Sequence, residues 1–183
     1  MKLYTVKAGF PLLAFIAAAY FATPPTVVAA DNEDSPGVTS LLADAKAEAV
    51  ELKTDAGDMD SFTRSNLSWA SYATKAEMIK EHVNNSGKLL GKLQEAEATA
   101  SPWQQIAIRR IEPLLREIAA NTEATINHLN EDPSKIHFPA FIDHVKANHQ
   151  LATALEALVR DFVSYGEAKR ELERLGETLE TTD

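Results

Sequence analysis

Residues Ser101–Asn130 read SPWQQIAIRRIEPLLREIAANTEATINHLN. The stretch has a marked start and a periodic body, and a marked stop follows it. Ser101 is a helix N-cap in a capping box: its hydroxyl is expected to accept from the Gln104 amide while the Gln104 side chain reaches back. Pro102 takes the first helical position, where its missing N–H costs nothing. Apolar or small residues recur at Ile108, Ile111, Leu115, Ile118, Thr122, Thr125 and Leu129, three or four apart, and make one helical face. Glu131-Asp132-Pro133 ends the run, because proline cannot donate and disfavours helix before it. Pro113 breaks the pattern, and its clash with the Arg109 carbonyl predicts a kink.

The flanking stretches read as helices made to pack on this one. Upstream, about Ser68–Ala98, Trp69, Tyr72, Ala76, Ile79, Val83, Ser86, Leu90 and Leu93 alternate by three and four, the seam of a coiled-coil-like bundle. Gly87 and Gly91 lie one turn apart and mark either a close helix approach or a flexible point. Downstream, Asp132–Phe138 is a connector, and Pro139 opens a helix to about Leu175. Its stripe is Phe141, Val145, Asn148, Ala152, Leu155, Leu158/Val159, Phe162 and Tyr165, with Gly166 as an interruption. Beyond it, Glu167–Arg174 is laced with charge at helical neighbour spacings. Leu172, Leu175 and Leu179 continue a thin apolar edge.

A first helix is expected over Val38–Ala56, on Val38, Leu41, Ala45, Glu48, Leu52, Asp55 and Met59, with Gly57-Asp58-Met59-Asp60 as its stop. Ser61–Leu67 is either a loop or the opening turn of the second helix. There is no alternating Val/Ile/Thr run to suggest a strand. The fold expected is all-α: an antiparallel up-down-up-down four-helix bundle over residues 38–179. Helix 1 would be shortest, about 28 Å at 1.5 Å per residue, against about 40–55 Å for the others. Helices 2–4 would then extend past it and expose apolar stripe, to be covered by the charged tail or by a second copy of the chain.

Residues 1–30 read as an address. Lys2 and Lys7 precede an apolar run, Ala8–Ala22, and Val28-Ala29-Ala30 supplies small residues before a cut between Ala30 and Asp31. A retained anchor is the alternative, but spanning a bilayer takes about 20 apolar residues and this run is shorter and holds Pro11. No stable membrane anchor is therefore expected after cleavage. Residues 31–37 (DNEDSPG) read as a flexible linker and 180–183 as a fraying tail.

The chain has no cysteine, so it has neither a lipid-anchored thiol nor disulfides, and its core alone must hold it. All acidic residues follow residue 30. Removal of Lys2 and Lys7 moves the formal charge from −9 to −11, with 16 basic against 27 acidic residues. Nucleic acid and anionic lipid surfaces would repel such a protein; the same charge also serves plain solubility.

Most catalytic signatures are missing. There is no thiol nucleophile, no covalent haem motif, no glycine-rich phosphate loop and no Gly-x-Ser-x-Gly elbow. No glutamate has a histidine three positions later, and no two histidines are four apart, so the di-iron and zinc helix patterns are absent. One grouping remains. His128, His137 and His144 fall near one end of the expected bundle, with Asp58, Met59, Asp60, Asp132 and Asp143. That end is either a divalent-metal or small-ligand site or ordinary polar surface. His82 and His149 read as boundary residues beside Val83 and Asn148. Trp69 and Trp103 begin helices 2 and 3 and should cap opposite ends of the core. Asn148, on an apolar stripe, either sets register or is exposed.

The stretches SNLSWASYATKAEMIKEHVNNSGKLL and SPWQQIAIRRIEPLLREIAANTEATINHLNE resemble those of small secreted bacterial proteins of unknown function, over roughly Ser65–Glu131. The resemblance implies no activity, cofactor or catalytic residue. The expectation is an exported, non-enzymatic bundle with no catalytic, cofactor or metal residues assigned. It would act by protein–protein or structural interaction with an envelope protein or by self-association. A metal- or haem-binding bundle is the alternative, and a periplasmic chaperone a further one.

Overall fold

The computed structural model describes residues 33–65, 67–131 and 133–180. Over these the chain is all-α, a bundle of four helices: α1 (Pro36–Phe62), α2 (Trp69–Ala96), α3 (Pro102–Glu131) and α4 (Pro139–Glu180). Short 3₁₀ turns, Glu97–Thr99 and Pro133–His137, join α2 to α3 and lie between α3 and α4. The expected signal peptide (1–30), Asp31, Asn32 and residues 181–183 lie outside the described residues. No helix among the described residues is long and apolar enough to cross a membrane.

The stripes bury over most of their length, but Trp69 and Tyr165 are exposed, and α1 buries Leu42, Ala49 and Ala56 in place of the expected Leu41, Ala45 and Glu48. Every residue of the α3 face from Ile108 to Leu129 is buried, and Gln104 and Ala107 extend it. On α2, Tyr72, Ala76, Ile79, Val83, Ser86 and Leu93 are buried and Leu90 is partly so. On α4, Phe141, Val145, Asn148, Ala152, Leu155 and Val159 are buried. Each helix packs against its sequence neighbours, and α4 closes on α1. Phe62, Tyr72 and Phe141 meet edge to face, with ring centroids 5.7 and 5.4 Å apart. Such pairs add to plain area burial.

Four expectations are corrected. First, α1 starts earlier and ends later than its local signals. Ser35 caps it, its Oγ accepting from the Val38 amide at 3.5 Å, and Pro36 and Gly37 of the expected linker are helical. Gly57 does not stop the helix. A Cβ there would lie 3.3 Å from His149 Nε2, so glycine lets α1 and α4 approach. The turns beyond it bury Met59, and that packing outweighs the weak local propensity.

Second, the expected shortness of helix 1 is not found. α1, α2 and α3 have 27, 28 and 30 residues, or about 40–45 Å each at 1.5 Å per residue. Only α4, with 42 residues, is markedly longer, about 63 Å.

Third, Gly166 does not interrupt α4, which is helical from Pro139 to Glu180, and Pro113 lies inside α3 without ending it. Ile111 and Leu115 on either side are both buried, and their packing carries the helix past the missing hydrogen bond.

Fourth, the capping box at Ser101 is half formed. The Ser101 amide donates to Gln104 Oε1 at 3.0 Å, but the Ser101 hydroxyl makes no hydrogen bond. The remaining boundary findings are smaller. Gly87 and Gly91 are not close-approach residues, since a Cβ at either meets nothing within 4 Å. Glu180, placed in the fraying tail by sequence, is helical.

Candidate functional site

The histidine end does not assemble. His128 Nε2 lies 3.2 Å from the Lys135 carbonyl oxygen, and its ring stacks, tilted, on Phe141 at 5.3 Å. His144 Nδ1 faces Asn121 Oδ1 at 3.4 Å, and His137 is exposed. Met59 is buried in the core, while Asp58 and Asp60 are taken by basic partners. Asp132 lies outside the described residues. Among the described residues no three His, Asp or Glu side chains are grouped to hold a metal ion.

Polar convergence occurs instead on α1. His82 of α2 lies between two α1 carboxylates: Nδ1 is 2.9 Å from Glu48 Oε2 and Nε2 is 3.4 Å from Asp55 Oδ2. Lys75 of α2 joins Asp55 at 2.8 Å and Asp58 at 3.1 Å. Burial alone would lower the Lys75 pKa, but the two carboxylates more than offset it and hold it above the usual lysine range. On the other side of α1, Asp60 receives Arg64 at 3.0 Å and His149 Nδ1 at 3.4 Å. Lys53 reaches across to Glu156 of α4 at 3.0 Å, where Arg160 adds a second bond. Lys53, against the pull of burial, keeps the Glu156 carboxyl below its ordinary range.

Glu48 and Asp55, the weak points of the α1 stripe, are thus the anchors of this network. The sequence signal was their seven-residue spacing, matched by Lys75 and His82 on α2. Chemically the network is a clamp. Both imidazole nitrogens of His82 face carboxylates, so neither is directed at a reactant. The neighbouring surface hollow of about 860 Å³ reaches Glu48 but is not lined by His82 or Asp55.

The opposite end carries a second clasp. Asp34 accepts from the Trp103 indole N–H at 2.6 Å and from Lys169 Nζ at 2.9 Å. Burial opposes its ionisation, but Lys169 and Trp103 together leave the carboxyl below its usual range. Gly166 makes room for Trp103: a Cβ there would lie 2.8 Å from Trp103 Cη2. Tyr165 packs edge-on at 5.5 Å. Trp69 sits at the far end, donating from Nε1 to the Leu129 carbonyl at 2.9 Å. The two tryptophans lie at opposite ends of the bundle, but only Trp103 packs on the core; Trp69 is exposed.

Beyond the Trp103 clasp, α4 leaves the bundle. Every residue from Arg170 to Glu180 is exposed. Leu172, Leu175 and Leu179 are 71%, 44% and 73% accessible, so the thin apolar edge is an uncovered ridge.

No known family model matches the chain, and neither does any curated protein or solved structure.

Proposed function

We propose that this is an exported, non-enzymatic bundle with up-down-up-down helices, acting through protein–protein or structural contacts in the cell envelope. The observation that carries the proposal is the solvent-exposed leucine ridge on the α4 stem. A soluble helix with no task there would be expected to carry polar residues on all faces. The helix order is supported by end contacts: Trp69 at the start of α2 meets Leu129 at the end of α3, and Asp34 before α1 meets Lys169 late in α4. Export is supported by the basic start, apolar run and small-residue cut of residues 1–30.

The test uses the full chain expressed in a bacterial host with a photo-crosslinking residue in place of Leu172. Export predicts recovery outside the cytoplasm with an N-terminus at Asp31, and a protein adduct at position 172. A cytoplasmic chain with its first 30 residues intact, or a ridge that crosslinks to no protein, sinks the proposal. A stoichiometric metal or a Soret band in the purified protein would favour the metal- or haem-binding alternative.

A further inference from the structure

We infer that the α4 stem pairs with the same stem of a second copy of this chain, antiparallel, with Leu172 of one against Leu175 of the other. The inference rests on the surface-acting role proposed above and names the partner of that ridge.

Ala168, Leu172, Leu175 and Leu179 follow one another by four, three and four. That is a coiled-coil seam, two heptads long, exposed along its leucines among the described residues. The register that sets Leu172 opposite Leu175 also sets Ala168 opposite Leu179. It stacks four apolar layers by two-fold symmetry, each built from one position of each seam type. Small residues at Ala168 and Gly176 let the backbones come close; a Cβ at Gly176 would meet nothing within 4 Å.

Charge fits the same register. Arg174 falls beside Glu171 of the second copy, a pair that occurs twice by symmetry. Arg174 and Glu171 already pair within one stem at 2.7 Å, both exposed, and the guanidinium has donors left for a second carboxylate. A parallel pairing gives none of this. It sets Glu171 against Gly176 and places both bundles at the same end of the seam.

Length fits as well. With Leu172 on Leu175, Glu180 of one copy lies opposite Glu167 of the other, so the overlap covers residues 167–180. This is the stretch lying beyond the Gly166–Trp103 contact. The two bundles then stand at opposite ends of a short two-stranded bridge. An isologous contact of this kind closes at two copies and does not propagate. Four layers make a small interface, so the dissociation constant should be on the order of tens of micromolar.

Sedimentation of the exported full chain across about 5–500 µM should show a monomer giving way to a dimer. Leu172→Glu with Leu175→Glu should weaken association by about tenfold or more, and the exposure of both positions leaves the fold intact by circular dichroism. Orientation is read with thiols, because the chain has none of its own. Ala168→Cys mixed with Leu179→Cys should form a disulfide-linked pair under mild oxidation, while neither variant alone should. A monomer throughout the concentration range overturns the inference, as do crosslinks within either single variant. A ridge that captures a different envelope protein while the purified chain stays monomeric overturns the self-pairing and leaves the surface-acting role standing.

Discussion

Gln104 of α3 and Ser35 at the cap of α1 hold each other through a reciprocal pair of hydrogen bonds, although 69 residues separate them. The Ser35 amide donates to Gln104 Oε1 at 3.0 Å, and Gln104 Nε2 donates to the Ser35 carbonyl at 3.0 Å. The same side chain accepts from the Ser101 amide and donates to Thr39 Oγ1, each at 3.0 Å. A fully buried amide therefore satisfies all of its donors and two of its lone pairs, and it joins the starts of two helices.

Replacing Gln104 should be among the most destabilising single changes in the chain. Gln104→Leu keeps roughly the volume but strands the backbone amides of Ser35 and Ser101, while the Ser35 carbonyl and the Thr39 hydroxyl keep their bond to each other. The expected loss is about 2–4 kcal/mol, read as a lower urea midpoint at constant m-value. A loss under about 1 kcal/mol would mean that water replaces the amide.

The glycines separate cleanly. Gly166→Ala drives a Cβ to 2.8 Å from the Trp103 ring and should cost about 1–3 kcal/mol. Gly87→Ala meets nothing and should stabilise by up to about 1 kcal/mol through helix propensity. Thermal melts of both variants side by side would refute the account if their shifts had the same sign.

Acid should weaken the bundle through Asp34 and Glu156. Both carboxyls lie below their ordinary range when folded. Their stabilisation is present above the unfolded carboxylate pKa of about 4 and is lost as pH falls through their folded values. Urea midpoints measured from neutral pH downward should drop in that window. Glu156→Gln should start less stable at neutral pH and show a shallower acid slope. An unchanged slope would remove Glu156 from the linkage.

At alkaline pH the sign reverses. Lys169 is held above the usual lysine range first by its bond to Asp34, which outweighs burial, and Lys75 by Asp55 and Asp58 against burial. Their contribution persists below about pH 10 and fades as pH rises through the folded values. A melting temperature independent of pH between about 9 and 12 would contradict this.

Asn148 sits 2% exposed in the core, and neither atom of its amide has a partner. Sequence left it either buried or exposed; it is buried. Asn148→Leu should stabilise by about 1–2 kcal/mol, because an unpaired buried amide costs more than a packed methyl group. A variant that stays as stable but changes oligomeric state would instead give the residue a role in register.

What the sequence by itself determined is the all-α class and most of the buried face of α2, α3 and α4. The stripes of Tyr72–Leu93, Ile108–Leu129 and Phe141–Val159 are local periodicities, and any helix bearing them must hide that side from water. The placement of the two tryptophans at opposite ends was legible too, since each sits at a helix start; that Trp69 stays exposed was not. Only the tertiary structure decided how far α1 runs, because Gly57 is a stop by propensity and an approach site once His149 lies across it. It alone turned Glu48 and Asp55 from defects in a stripe into the anchors of Lys75 and His82. It alone divided the histidines among separate partners. Each of these outcomes depends on which group stands opposite in space, from His128 and Lys135 in successive elements to Gly57 and His149 in the first and last helices, and local patterning does not carry that information.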